Sequence, residues 1–131
     1  MVTTYNAKDT TVIVDEVYIT GLGEDMIIYE PDEDQFESSV GAQGDIVVSE
    51  KNDARATITL TVQATSPQKG FLLNLATSRK MFPIWCINRT LGERFGGTKA
   101  RIKKHPALEY GVEAADREFE IQVFDGVVET I

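Results

Sequence analysis

The residues of this 131-residue chain whose types could do chemistry are one histidine, one cysteine and a run of acids. His105 stands between Lys104 and Pro106 with no second histidine or cysteine motif to complete a metal site, so it reads as a surface or turn residue. Cys86 lies inside Phe-Pro-Ile-Trp-Cys-Ile-Asn, residues 82–88. A reactive thiol needs an exposed, electropositive setting, so this one is expected to be inert core. Asp32-Glu33-Asp34 approaches a calcium loop but departs from the D-x-[DN]-x-[DN]-G spacing, and reads as solvated acids. A glycosidase pair needs two carboxylates held around a cleft, which a chain this small is poorly able to build around a sugar. Gly96-Gly97 precedes a strand pattern rather than a helix, so it is expected to be a turn and not a phosphate loop. The basic segment 98–106 (TKARIKKHP) has no aromatic interleaved for base stacking. No enzyme, catalytic residue, cofactor or metal is expected.

Charge is more informative than any motif. The formal net charge is −8, which opposes a general grip on nucleic-acid phosphates. From Asp9 to Asp53 there are thirteen acids and one base, Lys51; from Arg55 to Lys104 there are ten bases and one acid, Glu93. Clustered solvated charges would look like this. So would an acidic surface on one copy that meets a basic surface on another, since complementary patches steer association and fix its register. A single cysteine allows no internal disulfide, the first residues carry no signal-peptide pattern, and no apolar run nears the roughly 20 residues of a membrane span. The expectation is one soluble intracellular domain over residues 1–131.

The elements that must position these residues read mostly as strands. Residues 11–19 suit a hairpin or bent strand around Asp15-Glu16, and residues 26–30 a strand ended by Pro31. Residues 55–64 alternate strictly, with Ala56, Ile58, Leu60, Val62 and Ala64 on one face and threonines on the other. Ser66-Pro67 is a helix start, and Phe71, Leu72, Leu75 and Ala76 make an apolar stripe, so a helix is expected from Pro67 to Arg79 with Arg79 and Lys80 in its last turn. Residues 82–88 read as a strand buried on both faces, 98–106 as a basic strand stopped by Pro106, and 116–126 as an alternating strand. Between them lies the problem segment, residues 32–53: acidic, glycine-bearing and apolar only at Ile46-Val47-Val48. Loops of that length inside a compact domain are uncommon unless functional or disordered. The order, strands, one helix, strands, predicts a mainly β antiparallel sandwich or partial barrel with one flanking α-helix.

The run from Asp32 to Pro67 resembles the tail tube proteins of contractile-tailed bacteriophages. The residues that carry the likeness are Asp-Glu-Asp-x-Phe, the Val40-Gly41-x-x-Gly44-Asp45 turn, Asn52-Asp53, the threonine strand and the Ser-Pro start. Residues 12–34 and the Glu-Tyr-Gly-Val-Glu and Arg-Glu-Phe patterns near the end extend it over most of the chain. The resemblance implies a phage tail tube-like fold: a single tail tube domain whose hexameric rings stack into the hollow inner tail tube of a myovirus-type virion, through which DNA passes on ejection. Implied partners are other copies, the tail sheath protein, baseplate and tail terminator proteins, and, inside the lumen without specific binding, the tape measure protein and DNA. The implied location is the virion, after assembly in the host bacterial cytoplasm and without membrane insertion.

On that reading the segment 32–53 is an assembly loop reaching a neighbouring subunit or ring, ordered on binding. Asp34, Phe36, Val40, Gly41, Gly44 and Asp45 are its interface residues, with Phe36 and Val40 as anchors and the glycines supplying the turn. Thr57, Thr59, Thr61, Glu118, Glu120 and Gln122 are candidates for lining the lumen, a wall of hydroxyls and carboxylates that phosphates slide past. The alternatives are another tail component, such as a tube initiator or terminator, and a small β-sandwich binding module. The same fold also serves the type VI secretion tube, and a fold by itself does not select a function.

Overall fold

A computed structural model describes residues 2–131. After a short 3₁₀ turn (Ala7–Asp9) come β1 (Thr10–Val14), β2 (Val17–Tyr18), β3 (Leu22–Pro31), β4 (Phe36–Val40), β5 (Ile46–Glu50) and β6 (Ala56–Val62). The helix α1 (Lys69–Ser78) follows, then β7 (Phe82–Asn88), β8 (Glu93–Ile102), β9 (Arg117–Val123) and β10 (Val127–Thr130). Eight strands form one antiparallel sheet in the order β2-β1-β7-β8-β9-β6-β3, with β10 added on β8. The first half of β8 carries β10 and the second half carries β9, so the sheet turns a corner along β8. The remaining two strands, β4 and β5, form a sheet of their own. The mainly β architecture with one flanking helix is thus the fold.

Alternation fixes which side is inside. Along β6 the residues Ala56, Ile58, Leu60 and Val62 are fully buried, and along β9 Phe119, Ile121 and Val123 are too. They meet Phe82 and Ile84 of β7 and the helix residues Leu72, Leu75 and Ala76 in one core. Burying a side chain such as Ile58 or Leu60 contributes roughly 1.5–3 kcal/mol each, which is what commits the two strands to this face. The β1–β2 connection is the hairpin expected around Asp15-Glu16. Val14 faces Val17, and both turn residues adopt left-handed backbone (φ 48° and 66°), the geometry that matches strand twist.

Several local expectations fail for non-local reasons. The helix starts at Lys69, not Pro67: the Ser66 hydroxyl donates to the Thr20 carbonyl (2.6 Å) and accepts from the Gln68 amide (3.4 Å), and residues 67–68 form a turn ahead of the helix. Arg79 and Lys80 lie beyond the helix: Arg79 ends it in left-handed conformation and Lys80 pairs with Asp15 (2.8 Å). Gly96-Gly97 is not a turn. It sits inside β8, where a Cβ on Gly96 (φ 145°) would run into the Ile84 carbonyl oxygen; the strand spans Glu93–Ile102 and stops short of Pro106. β7 is buried on one face and half-buried on the other, with the Arg94 guanidinium lying 4.1 Å over the Trp85 ring. The segment 32–53 is no structureless loop; its middle is the β4–β5 hairpin.

Candidate assembly surfaces

The hairpin projects from one end of the sheet, where β3 ends and β6 begins. Its register pairs Phe36 with Glu50, Ser38 with Val48 and Val40 with Ile46, so one face carries Phe36, Val40, Ile46 and Val48. All ten strand residues are exposed, those four by 54% to 69%. A two-stranded hairpin is marginal in water on its own, and an apolar face left wet is a surface with an interaction to make. At the tip Gly41 donates to the Asp45 carbonyl (2.8 Å) and Gly44 donates to the Gly41 carbonyl (3.0 Å). Only Gly44 has the left-handed backbone (φ 90°) that calls for glycine; Gly41 does not.

The hairpin is fastened at its root. The Lys51 amide donates to the Gln35 carbonyl (2.8 Å), and the Lys51 ammonium lies 3.5 Å from Glu33. Asp53 accepts from the Arg55 amide (3.0 Å) and from its guanidinium (2.7 Å), and that guanidinium pulls its carboxyl down to about 2. Asp32 ties the root to the main sheet. Its amide donates to the Arg55 carbonyl (3.1 Å), while its carboxylate accepts from Gln122 Nε2 (2.9 Å) and from the Thr57 hydroxyl (2.7 Å). Those two hydrogen bonds, the Gln122 one first, hold the Asp32 carboxyl below the usual range. Asp34 lines the cleft at the same root, whose volume is about 600 Å3.

The six candidate lumen residues do share a face. Thr57 pairs with Gln122, Thr59 with Glu120 and Thr61 with Glu118 across β6 and β9, opposite the core. Their face differs in character from a wall of hydroxyls and carboxylates. Arg101 pairs with Gln122, Lys103 reaches the Thr57 hydroxyl (3.4 Å), and Lys104 and His105 line a shallow depression with Thr59, Glu118 and Glu120. Arg101 of β8 and the basic residues just after that strand come into line because β8 and β9 run side by side, a juxtaposition of residues far apart in sequence. Thr57 and Gln122 are in addition spent on Asp32. That role, in a residue read as a solvated acid, had no local signal.

His105 Nε2 lies 2.9 Å from the Thr77 hydroxyl, and burial pushes the Cys86 thiol up to about 11. Among the described residues, no three His, Cys, Asp or Glu side chains are grouped to hold a metal ion, and no helix is long and apolar enough to cross a membrane.

No family profile and no curated protein sequence matches the chain. Solved structures do. The cap of the anti-feeding prophage, its tube-terminating cap, superposes over 100% of this chain and 95% of that chain with TM-score 0.63 and 11% identity. The sheath/tube terminator of an extracellular contractile injection system (PVC), in its extended state, matches over 98% of both chains, with TM-score 0.63 and 14% identity. The sheath–tube complex of that system matches with the same TM-score and identity over 98% of this chain and 93% of that one. At such identities the likeness is one of fold, and it spans nearly the whole length of each chain.

Proposed function

We propose that this chain is a non-enzymatic structural subunit of a contractile-tail-type particle, in which copies close into rings at the tube. The observation that carries the proposal is the β4–β5 hairpin: a strand face with Phe36, Val40, Ile46 and Val48 beside Ser38 and Glu50, left exposed on the chain that makes it. Such an element finishes its burial only in another subunit, and heterologous contacts of this kind build rings and stacks. Of the positions along such a tube, the end ring has the better support, since two of the three neighbours come from assemblies named for tube termination. A ring repeated along the tube is the second reading, favoured by the sheath–tube neighbour.

On either reading Asp34, Phe36, Val40, Gly41, Gly44 and Asp45 contact the adjoining subunit, and the face of Thr57, Thr59, Thr61, Glu118, Glu120 and Gln122 looks into the bore. Sheath and baseplate proteins are the partners outside, tape measure protein and DNA the unbound contents, and the particle is the location.

Negative-stain imaging of the purified protein tests the reading. Rings are the expected result, and closed single rings against long tubes separate the two positions. A chain that stays monomeric at high concentration, alone and mixed with sheath or tube partners, overturns both. Copy number in an isolated particle sharpens the choice: one ring for a terminator, many for a tube.

A further inference from the structure

A second surface asks for a partner of opposite charge. Between the middle of β3 and the turn joining β7 to β8 lies a cleft of about 350 Å3. Ile27, Cys86 and Phe95 give it apolar depth, the exposed Leu91 and the N-terminal Tyr5 and Ala7 stand at its sides, and Glu24, Asp25 and Glu93 are in its lining, which holds no lysine or arginine. An apolar floor under three carboxylates suits an apolar side chain with cations beside it, since burial and Coulomb attraction then act together. The hairpin does not qualify, because Glu37, Asp45 and Glu50 would meet carboxylates of the same sign.

A corner at the end of α1 has the required chemistry, with Arg79 as its cation while Lys80 is held by Asp15. Where α1 ends, Arg79 turns outward in left-handed backbone (φ 56°), Lys80 follows, and Met81 stands 50% exposed immediately before β7. Met81 precedes the first residue of β7, whereas Cys86 and Asn88 at its far end line the cleft. At a rise of roughly 3.3 Å per strand residue, corner and cleft lie about 20 Å apart, so a chain does not fill its own cleft. We infer that the cleft is a socket for the Arg79-Lys80-Met81 corner of a second copy: Met81 enters the apolar floor and Arg79 meets the rim carboxylates. Plug and socket at opposite ends of β7 make a head-to-tail contact, which repeats from copy to copy. The contact rests on the self-assembly proposed above and names a surface for it other than the hairpin.

Cysteine cross-linking tests it on the full chain. Met81→Cys and Glu93→Cys are placed together in one variant, both at exposed positions; the buried Cys86 thiol stays protonated at neutral pH. Oxidation at concentrations where imaging shows assemblies is expected to give a ladder of dimers, trimers and larger species, absent from either single variant. Reversal of the rim with Glu24→Lys and Asp25→Lys is expected to move the onset of assembly to higher protein concentration. Assemblies in the micrographs without the ladder overturn the socket and leave the proposed function standing. A chain that neither assembles nor cross-links overturns both.

Discussion

Strand pair β6–β9 and hairpin β4–β5 are made to the same local plan and end in opposite states. Each is antiparallel and each sets apolar side chains on one face: Ile58, Leu60, Phe119 and Ile121 in the first; Phe36, Val40, Ile46 and Val48 in the second, where Ser38 and Glu50 share the face and Val47 lies on the other. In the first pair those residues are sealed beneath the sheet, and in the second they stand in water. The difference lies outside the strands. β6 and β9 have β3 and β8 as flanking strands and the helix in their core, while β4 and β5 have only each other. Pattern therefore says which face wants burial, and topology says whether the same chain supplies the cover.

The comparison breaks hardest at the core. Phe119→Ala leaves a cavity in a fully buried site and should cost about 3–5 kcal/mol, a third or more of a typical domain's stability. Urea unfolding checks it. Val48→Ala on the hairpin face, measured the same way on monomer, should stay within about 0.5 kcal/mol. A comparable loss at both positions would show the hairpin packed on its own body.

Two glycines carry the contrast into the backbone. Gly96 lies against the Ile84 carbonyl, so Gly96→Ala must push β7 and β8 apart and should destabilise the monomer by more than about 2 kcal/mol. Gly44 also has left-handed backbone, yet nothing lies within 4 Å of where its Cβ would be. Gly44→Ala should therefore cost about 1 kcal/mol, confined to the hairpin. Amide exchange would quicken at residues 36–50 while the melting temperature of the body holds. Removing residues 36–50 altogether is the sharper form, because Gln35 and Lys51 are already hydrogen-bonded across the gap. The shortened chain should melt close to the intact one and fail to assemble; failure to fold would place the hairpin in the core.

What was legible in the residues divides along the same line. The faces of β6 and β9 and the Asp15-Glu16 hairpin could be read because period-two burial and turn chemistry are local, whereas the continuous apolar run of β7 hid its half-buried face. Ile46-Val47-Val48 signalled a strand, but its partner Phe36-Glu-Ser-Ser-Val has too few branched or aromatic residues to announce itself. Gly96 was mistaken for a turn because its need comes from a carbonyl on the neighbouring strand. The helix starts two residues later than the Ser66-Pro67 signal, and the bond that ties Ser66 to Thr20, 46 residues away, has no local mark. At the candidate surfaces the six-residue polar face was visible as alternation, whereas the hairpin face, the cations beside the polar face and the tie at Asp32 depend on strand pairing, which alternation does not encode.

That tie gives the smallest effect and the finest test, since it joins the two regions being compared. Asp32 belongs to the root of the hairpin, and its acceptors' partners, Gln122 and Thr57, belong to the β6–β9 face. Because hydrogen bonds depress its folded pKa, the stabilisation it contributes is complete above the unfolded value of about 3.9 and is lost as pH falls through the lowered folded value. The hairpin root should thus loosen only in acid below pH ~4, seen as faster amide exchange at residues 33–35. Asp53 titrates nearby, so the carboxyl carbon of Asp32 must be followed by itself, and its midpoint should lie below that of an exposed aspartate. Gln122→Ala removes the larger of the two bonds and should raise the midpoint more than Thr57→Val does, with little change in global stability. A midpoint unmoved in Gln122→Ala would mean that the root is not tied to the sheet, and the hairpin's direction would then be set by its partner rather than by its own chain.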